Sequence, residues 1–206
     1  MEKYVLDTNI FFNMEAGLNL GKNTQEVVEK ITTVAKDLQQ SQKAVFYMAP
    51  RIVDEFLGFF DNKEQDFIQK FLATIVVKAP DLTHQLLPPT VFYLLIDDIR
   101  ARSYRGLAIG EEEIQKTAQA FMNTGDMPKK EFQIKVGTHI KTFRDRYRHA
   151  TRFGFLDSLA DLDTIMLAKE LGGTIISTDE GVLQWARLFG VREIPARAVS
   201  HLFQTQ

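Results

Sequence analysis

The sequence predicts an α/β fold built on a central, mostly parallel sheet, with a long helical stretch inserted into it. Strand and helix signals alternate over the first sixty residues, the alternation returns after residue 157, and no strand signal of comparable strength occurs between Glu64 and about Ala150. The chain has 206 residues, 45% of them hydrophobic and 25% charged, enough to bury a sizeable core as one domain carrying an insertion.

The first strand is the apolar run Lys3 to Leu6, which ends in the polar turn Asp7-Thr8-Asn9. Thr24 precedes Val27, Val28, Ile31, Val34, Ala35 and Leu38, apolar at 3–4 spacing, so a helix of about four turns follows. Ala44 to Met48 is the second strand. Pro50 stands at a first helical position, and Ile52, Val53, Phe56, Leu57 and Phe60 form the apolar stripe of the next helix. Beyond it, Thr90 to Arg105 and Glu111 to Met122 read as two antiparallel helices joined by Gly106 to Gly110, a hairpin with Phe92, Leu95, Ile96 and Ile99 on one apolar face. The loop centred on Ile109 is then the hairpin tip and a candidate self-association surface.

Residues 85–127 are accordingly assigned to an inserted helical region, and 1–84 with 128–206 to the α/β domain. Lys129 to Arg152 is a basic helix, and Asp157 to Leu171 is another, ended by Gly172-Gly173. Thr174 to Ser177 is a buried strand, Glu180 to Phe189 a helix, and Val191 to Ile194 a last strand.

The sequence has no cysteine, which excludes a disulfide framework, thiolate metal sites and a cysteine nucleophile. No apolar run approaches membrane-spanning length and the amino terminus lacks a signal peptide, so the expectation is a cytoplasmic protein without a membrane partner. The net charge of −2 hides a segregation: residues 129–152 carry +6 and the remaining 182 residues −8. Lys141, Arg144, Arg148 and Arg152 recur at 3–4 spacing, so one helix face presents a row of cations suited to a phosphate backbone. A charge run is more commonly a solvated face, and Phe143 and Tyr147 between the arginines are read as core-facing aromatics.

Four aspartates carry the functional reading. Asp7 and Asp179 each follow a strand at the carboxyl edge, where parallel sheets gather functional groups. Asp157 and Asp161, at i and i+4, share one helix face. Taken singly, Asp7 and Asp179 could be turn or helix caps and Asp157 an N-cap, while Asp163 and Glu170 are read as solvent-facing. Four carboxylates that meet repel one another unless a cation neutralises them, and all-oxygen ligands with no cysteine and only scattered histidines (His84, His139, His149, His201) favour Mg²⁺ or Mn²⁺ over zinc.

D-T-N at 7–9 after a first strand, with Asp161 in a helix and Asp179 in S-T-D after a strand, resembles the PIN-type metallonucleases. The additional Asp157, the helical insertion and the basic helix before it resemble, over essentially the whole chain, the HARP family of minimal protein-only ribonuclease P enzymes. The resemblance implies a PIN-like three-layer fold and a metal-dependent endoribonuclease that removes the 5′ leader of precursor tRNA. Its metal-binding and catalytic aspartates correspond to Asp7, Asp157, Asp161 and Asp179, and its RNA-contacting arginines to Arg144 and Arg148. Glu55 matches a glutamate that many PIN domains use and is kept as an outer-shell candidate. The family further implies homodimers that assemble into a larger homo-oligomer, as large as a dodecamer, with the insertion as a protruding spike. Metal ions supply what phosphodiester hydrolysis requires, an activated water and a clamped phosphate, so no protein nucleophile is needed. The alternatives are a PIN-type general RNase or toxin-like nuclease, which the roughly hundred residues between Glu55 and Asp157 disfavour, and an RNA-binding partner without catalysis.

Overall fold

The computed structural model describes residues 1–13, 20–122, 124–152, 156, 158–194 and 198. Its contacts divide the chain into two compact units, Met1–Pro88 with Leu156–Gln206, and Pro89–Phe155. The boundaries fall at 88/89 and 155/156 rather than 84/85 and 127/128, which puts the basic helix in the inserted unit and not in the sheet unit.

The first unit holds a five-stranded sheet in the order β3-β2-β1-β4-β5, every neighbouring pair parallel. The central strand β1 (Glu2–Leu6) ends in the buried pair Val5-Leu6, β2 is Ala44–Met48 and β4 is Thr174–Ile176. In register, Val5 stands beside Tyr47 on one side and Ile175 on the other, so the ends of these three strands share one edge. The edge strand β3 (Val76–Val77) was not anticipated: its two residues are exposed and too few to show a period, and pairing to Tyr47 and Met48 alone defines it. The other edge strand is β5 (Arg192–Ile194).

After β1 comes the single turn α1 (Asn9–Phe12). Helix α2 (Thr24–Gln40) is capped by Asn23, whose side chain accepts from the Glu26 amide while the Glu26 carboxylate accepts from the Lys22 amide. Helix α3 (Pro50–Gly58) starts immediately beyond β2 with Pro50 in its first turn, and α4 (Asp66–Leu72) follows. The rings of Phe11, Phe56 and Phe71, one from each of α1, α3 and α4, are fully buried with centroids 5.0–5.2 Å apart. Each such ring removes a large apolar area from water, so this cluster fixes α1 and α3, two of the helices that begin at the carboxyl edge.

Two long helices, α5 (Pro89–Phe121) and α6 (Lys129–Arg152), make up the second unit. The expected break at Gly106–Gly110 does not occur. Leu107, Ala108 and Ile109 between the glycines are compatible with a helix, and Gly106 is placed where a Cβ would stand 2.5 Å from the Tyr147 ring. Glycine costs about 1 kcal/mol in a helix interior, and here its missing side chain lets α5 and α6 approach. The hairpin is therefore α5 with α6, and Ile109 is a buried position in mid-helix, not a tip. Phe143 and Tyr147, ring centroids 5.7 Å apart, face α5 as expected of packing aromatics. Glu113 is buried and ion-paired to Arg146 and Lys116, tying the two helices together.

The last two helices belong to the sheet unit. α7 (Leu159–Leu171) is capped by Ser158 and buried continuously from Asp163 to Ala168. It ends at Gly172 in the left-handed conformation (φ 59°), and a Cβ on Gly173 would lie 2.8 Å from the Lys3 carbonyl, so the predicted glycine stop is also a close approach to β1. α8 (Glu180–Leu188) follows β4. Among the described residues, no helix is long and apolar enough to cross a membrane.

Candidate active site

Asp7, one residue past β1, is 1% exposed. Its amide donates to the Ile176 carbonyl, extending the β1–β4 pairing and pinning the backbone beneath the carboxylate. Asn9 Nδ2 donates to Asp7 Oδ2 at 3.1 Å, the buried Ser177 hydroxyl donates to the same oxygen, and Thr8 Oγ1 lies 3.4 Å from Oδ1. Burial drives the Asp7 pKa up, the Ser177 and Asn9 bonds pull it down, and the charge of Asp179 raises it further. Among the described residues no lysine or arginine forms an ion pair with Asp7.

Asp179 stands where the cap reading put it: its Oδ1 accepts from the amides of Gly181 (2.7 Å) and Val182 (3.3 Å) as the N-cap of α8. The cap accounts for one carboxylate oxygen and leaves Oδ2 without a hydrogen-bond partner among the described residues. The Asp179 amide donates to Ser177 Oγ at 3.0 Å, so a continuous chain runs from Asp179 through Ser177 to Asp7. Glu55 lies in the second turn of α3, and its pKa is raised by partial burial and then by the Asp7 charge. The structure thus brings Asp7, Asp179 and Glu55 into electrostatic contact.

Asp161 occupies the first turn of α7, half-buried. Asp157, expected one turn before it, lies outside the described residues, as does the Arg152 side chain. Among the described residues no group of three or more histidine, aspartate or glutamate side chains is close enough to hold a metal ion. The donor set nevertheless fits a hard cation: a fully buried carboxylate with no basic partner stands beside a second carboxylate that has an uncommitted oxygen.

Two carboxylates read as solvent-facing are committed instead. Asp163 is buried and paired to Arg51 on α3 at 2.6 Å. Glu170 accepts from Lys78 and from the Asp81 amide. Both lie on α7, whose nearly all-round burial leaves little solvent-facing surface for them. Ser177, the hub between Asp7 and Asp179, was missed as a functional residue, although a serine closing an apolar strand immediately before T-D is the signal that could have shown it.

In the second unit, Lys141, Arg144 and Arg148 are exposed and form no hydrogen bond or ion pair among the described residues. Arg146 differs, since its guanidinium is occupied by Glu112 and Glu113. These three cations of the predicted row are therefore available to a ligand, whereas their neighbour Arg146 serves packing.

Acidic groups at the carboxyl edge of a parallel α/β sheet are compatible with hydrolytic nuclease chemistry, and the comparisons show the family. The profile of the family described as PINc domain ribonuclease matches residues 3–206. Proteins called RNA-free ribonuclease P are similar along nearly their whole length: that of Thermococcus kodakarensis is 35% identical over 191 residues, covering 92% of this chain and 88% of the relative. That of Methanocaldococcus jannaschii is 32% identical (95% and 88% covered), and that of Thermodesulfovibrio yellowstonii 31% (93% and 88%). The chain belongs to the PINc domain ribonucleases and, within them, to the RNA-free ribonuclease P family, also called HARP.

Proposed function

We propose that this chain is the endoribonuclease that removes the 5′ leader of precursor tRNA without an RNA subunit, using a divalent cation held by Asp7, Asp161, Asp179 and Asp157. The observation that carries the cation is Asp7, a carboxylate buried at the strand edge with only neutral donors and a second carboxylate for company. Such a group is costly to ionise unless a positive charge joins it. Mg²⁺, or Mn²⁺, supplies the Lewis acidity that phosphodiester hydrolysis needs when bound. The chain's own residues supply the rest. Ser177 and Asn9 orient Oδ2 of Asp7, the α8 amides fix Asp179 through Oδ1, and Glu55 stands within reach of the Asp7 charge as an outer-shell carboxylate.

Lys141, Arg144, Arg148 and Arg152 bind the tRNA through its phosphates, giving affinity and register without sequence readout, as suits recognition by shape. Self-assembly into a homo-oligomer is supported by Phe92, Ile96 and Ile99 on α5, each about half-exposed, on the apolar face the sequence pattern singled out. The cytoplasm is the expected setting.

Incubation with 5′-labelled precursor tRNA tests the reading. One cut at the mature 5′ end is expected with Mg²⁺ and none with EDTA; cleavage scattered over unpaired segments would make the chain a general RNase instead.

A further inference from the structure

Asp163 is an ionised group where ionised groups are expensive, its side chain 9% exposed. Among the described residues its compensation is a single bond, Arg51 Nη1 to Oδ2 at 2.6 Å. Arg51 is only half engaged by this: its side chain is 53% exposed, and its Nε–H and Nη2 amino group have no protein partner among the described residues. A guanidinium carries five donors in a planar fork, so anchoring one nitrogen narrows the directions in which the others can point while leaving them free for a ligand.

The placement of Arg51 gives those free donors a use. Helix α3 begins directly after β2, whose last residues stand beside the last residues of β1, so Arg51 lies at the same sheet edge as Asp7. It is one turn before Glu55, whose carboxylate senses the Asp7 charge, and residues at i and i+4 share a helix face about 5–6 Å apart. It is also the one cation on α3. A phosphodiester approaching an edge crowded with carboxylates is repelled unless a cation meets it there, and an arginine held by one nitrogen presents two adjacent donors for bidentate contact.

We propose that Arg51 is a phosphate-contacting residue of the cleavage site, its guanidinium oriented by the buried carboxylate of Asp163. This rests on the ribonuclease P reading but is separable from it. Arg51→Lys keeps a charge beside Asp163 and loses the planar fork; the double variant Arg51→Met with Asp163→Leu removes the pair without stranding a buried charge, which proteins often tolerate. Binding of precursor tRNA is measured against salt, and single-turnover cleavage alongside it. The double variant is expected to melt near the wild type, to lower the salt slope by about one phosphate contact, and to cut roughly tenfold or more slowly at subsaturating protein. Arg51→Lys is expected to keep the slope and to cut at an intermediate rate. A double variant that folds and matches the wild type in slope and rate overturns the assignment. So does a fall in melting temperature with slope and rate per folded molecule unchanged, which makes the pair purely structural. The binding arm reads Arg51 whether or not the wild type cuts, whereas failure of the wild type to cut at the mature 5′ end counts against the ribonuclease P reading.

Discussion

Ser177 has the clearest role of the single residues that the sequence did not single out. Its hydroxyl donates to Asp7 Oδ2 and accepts from the Asp179 amide, so it orients the Asp7 carboxylate and ties it to the backbone of Asp179. Groups that orient ligands in this way are typically worth 10–100-fold in affinity or activity. Ser177→Ala is therefore expected to lower single-turnover cleavage by about that factor while tRNA binding, measured separately, stays near the wild-type value. Glu170 illustrates a carboxylate whose role is stability. Lys78 holds its pKa below the usual range, so the pair stabilises the fold fully above the pKa of the unfolded chain, about 4.3. That contribution is lost as pH falls from there through the lower folded value. Glu170→Gln is expected to cost on the order of 1 kcal/mol at pH 7, given a partly exposed pair. Chemical denaturation of both proteins should show the difference closing as the pH is taken below about 4.

At the scale of elements, most of the sheet unit was legible because its signals are local. β1, β2 and β4 are short apolar runs bounded by turn residues, and α2 and α3 carry clean 3–4 spacing. Of the site, Asp7 and Asp179 were readable as strand-end carboxylates, whereas Glu55 entered only through the family resemblance; in the structure Asp7 senses the charge of Asp179, and Glu55 that of Asp7. What was not legible depends on tertiary context. β3 exists only through pairing, and the burial of Asp163 follows from packing around α7 that no heptad count reveals. The glycines of 106–110 mark a close helix approach rather than a turn, because Tyr147, forty-one positions later, decides how that space is used. Gly106→Leu should force α6 away from α5, at about the 1–3 kcal/mol of an overpacked contact. A calorimetric scan that shows no loss of stability would mean that the helices do not depend on that approach.

For the molecule as a whole, two chemistries are divided between two units. The sheet unit carries Asp7, Glu55, Asp161 and Asp179, and the helical unit carries the uncommitted cations Lys141, Arg144 and Arg148. Arg144→Ala with Arg148→Ala is expected to weaken precursor binding and to reduce the salt slope by about two contacts, while the position of the cut is unchanged. An unchanged slope would remove the strip from tRNA recognition. The central claim is that the carboxylates at the sheet edge cut and do not hold the RNA. Asp7→Asn tests it most directly, because it keeps the shape of the side chain and removes only its charge. Cleavage and binding of the same precursor tRNA are measured on this variant in Mg²⁺. The account predicts cleavage down by at least about a thousandfold with binding within a few-fold of wild type. Cleavage that survives the substitution, or binding that falls in step with it, would contradict it.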